Sequence, residues 1–155
     1  MIPTMIEEHL QVNHPGFVHH VHTVAMTAQA LAQSEHVSGH RVAKPVIVRL
    51  DGKLAIAVVA ATEKVNLGML EEATGASAEL VPEPEFAQRF SPCEPGAEPP
   101  FGLFGLPIFV DQKLLLERNL VMPAGTHEDA VVLDTHEWMR CEKTQPVANL
   151  GTRSS

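Results

Sequence analysis

Two apolar runs flank an Asp51-Gly52 pair, and no other feature constrains the chain as much. Pro45–Leu50 and Leu54–Ala61 each read as a strand, and Asp-Gly between them is a strong two-residue hairpin signal. The segment is therefore expected to be an antiparallel hairpin. At its head stands Lys44, in Arg41-Val42-Ala43-Lys44-Pro45-Val46-Ile47-Val48. Alternate strand residues share a face, so Lys44 points the same way as Val42, Val46 and Val48, which form a core face. One explanation is a stem lying on apolar surface with its head in water. The other is a cation held at the mouth of an apolar pocket, where it can polarise an acyl oxygen.

The flanking segments mix helices and strands without regular βαβ alternation. Residues 3–13 predict an amphipathic helix with Met5, Ile6 and Leu10 inward, closed by Asn13-His14-Pro15-Gly16. Phe17–His22 alternates as a strand. Helix formers dominate Val24–Glu35, with Ala25, Ala28, Leu31 and Ala32 on one face, and Val65–Thr74 reads as a helix stopped by Gly75. A short helix is expected within Val81–Phe90, a Pro/Gly-rich loop at 92–102, and strands at Pro107–Val110, Asn119–Pro123 and Ala130–Leu133. The last helix starts near Thr135 as cap with Trp138 inward, and Asn149–Ser155 is expected to fray. The pattern predicts an α+β domain over residues 1–148. About six strands would form a curved, partly closed, mixed or antiparallel sheet with flanking helices.

A length of 155 residues with 45% hydrophobic content suits one soluble domain. No apolar run approaches the ~20 residues that span a bilayer, and the start lacks a basic signal-peptide region, so a cytoplasmic location without membrane contact is expected. Cys93 and Cys141 form no CxxC pair and read as reduced thiols, neither with an evident base. The net charge of −8 argues against DNA or any long duplex as partner. Residues 1–64 are balanced, however: Arg41, Lys44, Arg49, Lys53 and Lys64 stand against Glu7, Glu8, Glu35, Asp51 and Glu63. That balance is compatible with reading a short single-stranded end.

Gly96 and Gly102 bracket a loop containing Pro99 and Pro100, with Pro95 just before it. Such a loop is stiff yet lets a ligand approach the backbone; alone it is equally an ordinary turn. The dense patch His19-His20-Val21-His22 puts His20 and His22 on one strand face, and with His127 these are three conceivable zinc ligands. No CxxC or HExxH accompanies them, so neither metal nor cofactor is expected.

The order of four motifs resembles the YbaK/EbsC family of stand-alone aminoacyl-tRNA deacylases, related to the editing domain of bacterial prolyl-tRNA synthetases. The motifs are Val42-Ala43-Lys44 leading into Val46-Ile47-Val48, the loop Gly96-Ala97-Glu98-Pro99-Pro100-Phe101-Gly102, the strand Pro107-Ile108-Phe109-Val110-Asp111, and Ala124-Gly125-Thr126-His127 before Val131-Val132-Leu133. They span roughly residues 5–142. The resemblance implies hydrolysis of a mischarged aminoacyl-tRNA ester, carrying a small amino acid on tRNA-Pro or a related tRNA, without metal or covalent enzyme intermediate.

In that reading Lys44 and loop amides stabilise the carbonyl oxygen, and the substrate's vicinal ribose hydroxyl helps place water. Gly96, Ala97, Pro100, Phe101 and Gly102 would hold the terminal adenosine and ester, with Phe101 either a stacking surface or a core plug. His22, Gly125, Thr126 and His127 would lie against the aminoacyl group, Asp111 would support the pocket, and Ala97 and Glu98 would project outward. The partner is the aminoacyl-tRNA acceptor end, and a synthetase is a further partner to consider. Many relatives have threonine after the lysine, where Pro45 here removes a ladder donor. A reading of another class is a non-catalytic module that binds aminoacyl ends or docks on a synthetase.

Overall fold

The computed structural model of the protein describes residues 1–153. Its elements run α1 (Thr4–Asn13), β1 (Val18–Val21), α2 (Ala28–Ser34), β2 (Ala43–Leu50), β3 (Lys53–Ala60), β4 (Glu63–Val65), α3 (Leu67–Thr74), β5 (Ala78–Leu80) and α4 (Glu83–Phe86). They continue through β6 (Ile108–Asp111), β7 (Asn119–Pro123), β8 (Asp129–Asp134), α5 (Thr135–Cys141), β9 (Gln145–Val147) and β10 (Gly151–Arg153).

The predicted hairpin is the spine of the fold. Asp51 and Gly52 have φ of 48° and 83°, both positive, which is the turn whose twist matches paired strands. Register runs unbroken from Ala43↔Ala60 to Leu50↔Lys53. β5 adds antiparallel to β2, while β6 and β9 add in parallel, giving the order β5-β2-β3-β6-β9. A second, antiparallel sheet, β1-β8-β7, meets the first at the bridge between Val42 and Val121. Both sheets are open at their edges, and a two-stranded ribbon joins β4 to β10.

Both faces of the hairpin are covered, which is why its strands read as apolar runs. Ile47, Ile56 and Val58 pack with Ile6 and Leu10 of α1 and with Trp138 of α5. On the other face Val48, Ala55, Ala57 and Val59 pack against Leu70 of α3 and Leu150. Pro45 fits because β5 pairs only with Val48–Leu50, so its missing N–H breaks no ladder there.

The α+β class holds, and all six expected strands form. Four three-residue strands (β4, β5, β9, β10) were not expected, because three residues are too few to show a period of two. The stretch expected to fray does not do so between 150 and 153. Leu150 is fully buried, the Gly151 amide donates to Asp111 Oδ2 at 2.9 Å, and Gly151–Arg153 pairs with β4. The remainder of that stretch, Ser154 and Ser155, lies outside the described residues.

Helix boundaries follow side-chain caps. α2 starts only at Ala28, where Thr27 Oγ1 accepts from the Ala30 amide at 3.0 Å, leaving residues 22–27 irregular. α3 starts at Leu67 after the Asn66 cap and ends at Gly75, whose φ of 73° supplies the expected stop. Asp134, not Thr135, caps α5 by accepting from the Glu137 amide at 2.9 Å. Among the described residues, no helix is long and apolar enough to cross a membrane.

Candidate functional site

A cavity of about 50 Å³ lies where the two sheets meet. The head of β2 forms one wall with Ala43, Lys44 and Pro45. The irregular segment before α2 forms a second, with His22 and Ala25. Gly96 and Ala97 of the Pro/Gly loop face Thr126, His127 and Asp129 of the β7–β8 turn. The cavity thus gathers Lys44, His22, Gly96, Ala97, Thr126 and His127 from the residues singled out in the sequence.

Lys44 continues the face that carries Val46 and Val48, and it is half-buried. Its Nζ donates to the Glu63 carbonyl just beyond the end of β3. Burial lowers its pKa, and the neighbouring Glu63 carboxylate only partly opposes this. Glu63 is itself fixed, its carboxylate accepting from Lys113 Nζ at 2.6 Å. An ammonium has three donors, so one bond to a carbonyl leaves two for a ligand.

His22 Nδ1 lies 2.6 Å from the Thr23 carbonyl and must carry the proton, since a carbonyl only accepts. Its Nε2 therefore keeps a lone pair, and that atom is buried without a partner. Buried nitrogens are seldom left unpaired, so this one is a point of chemical interest.

The Pro/Gly loop is organised differently from expectation. Ala97 and Glu98 are buried rather than projecting outward. The Gly96 amide donates to Glu98 Oε1 and Oε2 at 2.8 and 3.1 Å, and the Ala97 amide donates to the Glu94 carbonyl at 2.9 Å. These amides close the loop on itself and are not free to hold an oxyanion. Burial raises the Glu98 pKa, and the hydrogen bonds it accepts only partly offset the rise.

The loop is stitched to the β7–β8 turn. Glu94 N donates to the Gly125 carbonyl and Gly125 N to the Ala97 carbonyl, both at 2.8 Å, while His127 N donates to Glu94 Oε1 at 2.7 Å. The His127 ring spans the same gap, with Nε2 2.9 Å from the Pro95 carbonyl and Nδ1 3.3 Å from the Ala25 carbonyl. Gly96 has φ +90°, and a Cβ there would sit 3.3 Å from His127 Cε1. Gly125, at φ +99°, lies behind the wall, where a Cβ would come within 2.7 Å of Pro3 Cδ.

Pro100, Phe101 and Gly102 are not part of the cavity lining. The Pro100 carbonyl accepts from Trp138 Nε1 at 3.0 Å, and the Gly102 amide donates to Glu142 Oε1 at 2.7 Å. Phe101 is fully buried and stacks on His9 and His14 with centroids 5.1 and 5.9 Å away, so of its two expected places it takes the core. Asp111, also fully buried, holds Gly151 and Lys113 behind Glu63.

Asp129 escaped the sequence reading. It is buried and lines the cavity, with Oδ1 2.6 Å from His19 Nε2 and Oδ2 accepting from Thr126 Oγ1 at 2.5 Å. Burial alone would raise its pKa, but hydrogen bonds from Thr126, His19 and the Met1 amine bring it below the ordinary value. Only its place on β8, paired with Val21 and diagonal to His19 of β1, reveals it, and that register is not visible in sequence.

Two alternative chemistries lose support. His20 Nδ1 is engaged by Glu35 at 2.5 Å and both His127 ring nitrogens face carbonyls, so neither joins the free His22 Nε2 as a ready ligand. Burial pushes the Cys93 thiol up to about 12, which leaves no thiolate nucleophile near neutrality.

The aminoacyl-tRNA editing domain family matches residues 22–141. No curated protein matches the sequence. Among solved structures, a candidate trans-editing enzyme for prolyl tRNA synthetase superposes with a TM-score of 0.80 at 16% identity, covering 99% of this chain and 100% of the other. A hypothetical protein gives 0.85 at 17% identity, over 95% and 99% of the two chains. A scaffold carrying a computationally grafted epitope gives 0.82 at 19% identity, over 96% of each. At such identities these likenesses establish the fold alone. The match over residues 22–141, which includes the whole cavity, settles the family: the chain belongs to the aminoacyl-tRNA editing domain proteins.

Proposed function

We propose that the protein deacylates mischarged tRNA carrying a small amino acid, on tRNA-Pro or a related tRNA, with no metal taking part in the reaction. The observation that carries this reading is the pairing of a half-buried ammonium, Lys44, with the unpartnered His22 Nε2 on the walls of one small cavity. An aminoacyl ester is already activated. What it needs is charge stabilisation at the carbonyl oxygen and a proton acceptor for the attacking oxygen.

Lys44 supplies the first. Its two remaining N–H groups meet the carbonyl oxygen as it becomes an anion, in a site where burial strengthens the interaction. His22 Nε2 supplies the second, taking the proton from water, directly or through the vicinal ribose hydroxyl. It then returns that proton to the departing ribose oxygen as the tetrahedral intermediate collapses to free amino acid and tRNA. The loop acts through shape, since Gly96 and Ala97 form the wall while their amides are engaged elsewhere.

Size supports a small substrate. About 50 Å³ is a few times the roughly 10–15 Å³ that lodges a single water, which suits a small side chain. A bulkier cognate residue would clash rather than merely bind less well. Purified protein tested against a panel of aminoacyl-tRNAs checks the reading. Turnover of esters with small side chains, retained after exhaustive chelation, is expected. Tight binding of aminoacyl-tRNA with no hydrolysis of any ester would favour the non-catalytic module instead.

A further inference from the structure

Away from the cavity, three side chains converge on one point. His9 Nε2 and His14 Nε2 lie 2.6 and 2.5 Å from the same oxygen, Glu142 Oε2. Their donor atoms all fall within 4.8 Å of one another. The other carboxylate oxygen is held by the Gly102 amide at 2.7 Å, so Glu142 presents Oε2 alone. His14 and Glu142 are buried, whereas the His9 side chain keeps 15% of its exposure and leaves a path from solvent.

We propose that His9, His14 and Glu142 form a zinc site that fastens α1 to the Pro/Gly loop and to the end of α5. Two imidazoles and one carboxylate suit Zn²⁺, with water from the His9 side completing a tetrahedron.

The surroundings of the rings point the same way. His14 Nδ1 has no hydrogen-bond partner, yet the Glu137 carboxylate lies 3.7 Å from it. In the metal-free chain His14 Nε2 donates its proton to Glu142 Oε2; zinc bound at Nε2 would take that place and leave the ring's proton on Nδ1, facing the Glu137 carboxylate. A carboxylate behind a ligating histidine is the usual outer support of such rings. The Asn13 side-chain amide reaches His9 Nδ1 at 3.2 Å; with zinc on Nε2 the ring's proton sits on Nδ1, and Asn13 would present its amide oxygen there. Phe101 stacks on both imidazoles and excludes water from one side. To admit the ion, nitrogens and oxygen must part from 2.5–2.6 Å to roughly 3.3 Å, the edge of a tetrahedron with bonds near 2.0–2.1 Å.

The test uses untagged full-length protein, stripped with chelator and titrated with Zn²⁺, with Co²⁺ as a spectroscopic substitute. Expected are one tightly bound zinc per chain, a melting temperature raised by a few degrees, and a visible cobalt spectrum of low coordination number. His9→Asn, at the most exposed ligand, should abolish all three while still folding. Glu142→Gln keeps an oxygen for the Gly102 amide and should weaken zinc binding at least tenfold. His20→Asn, in the exposed patch, should change nothing. Absence of stoichiometric zinc overturns the proposal. So does zinc binding that survives both His9→Asn and Glu142→Gln but falls in His20→Asn.

Discussion

The Gly96 amide donates to both carboxylate oxygens of Glu98, at 2.8 and 3.1 Å, so the loop beside the cavity is closed by an acid two residues along its own chain. Glu98→Ala should therefore lower deacylation markedly, while Glu98→Gln, which keeps one accepting oxygen, should retain most of it. Initial rates on a small aminoacyl-tRNA check this. Equal losses in both variants would mean that the charge matters and the closure does not.

The same residue sets a pH dependence. Burial raises the Glu98 pKa above 4.5 in the fold, so between the two values the folded chain holds a proton that the unfolded chain has lost. Stability thus falls as pH rises through that window, and the penalty is fully present above it. Glu98→Gln should flatten this part of the profile, as read from denaturant midpoints at a series of pH values.

Lys44→Ala should reduce turnover by roughly 10²–10³-fold, the usual cost of removing a donor to a developing oxyanion. Its melting temperature should barely move, because the ammonium is already disfavoured by burial. Lys44→Arg should fail as well, since a planar fork does not fit where a compact ammonium meets the Glu63 carbonyl. In the wild type the rate, corrected for uncatalysed hydrolysis, should decline before pH 10.5, as the depressed lysine loses its proton.

His22→Ala should cost about 10²–10⁴-fold in kcat with little change in KM, the range for a general base. Loss confined to KM would make His22 a binding group only.

Gly96→Val forces a β-branched residue to φ +90° and presses a methyl-bearing carbon on His127 Cε1. Strain of about 1–3 kcal/mol should appear as a lower melting temperature, together with nearly complete loss of activity. A variant with normal stability would show that the loop relaxes readily.

Sequence revealed this molecule where a pattern was long or a residue chemically out of place. Asp51-Gly52 between apolar runs located the spine, and a lysine on a core face located one wall of the cavity. What stayed hidden depends on register and on side chains that turn inward. The buried acids Glu98 and Asp129 look like ordinary polar residues until their partners, Gly96 and His19, are brought to them. Phe101 was open between two roles because the His9 and His14 rings that stack on it lie about ninety residues away in the chain. The short strand β10 has too few residues to register as one, although it buttresses Glu63 through β4.

The His127 ring lies between the Ala25 and Pro95 carbonyls and donates to one of them, so one imidazole sets the spacing between two walls of the cavity. On the proposed function, fidelity then becomes a mechanical property, because the width that would exclude a bulky residue is only as constant as that strut. Warming, which loosens such contacts before the domain melts, should let larger amino acids leak through and narrow the ratio of correct to incorrect hydrolysis.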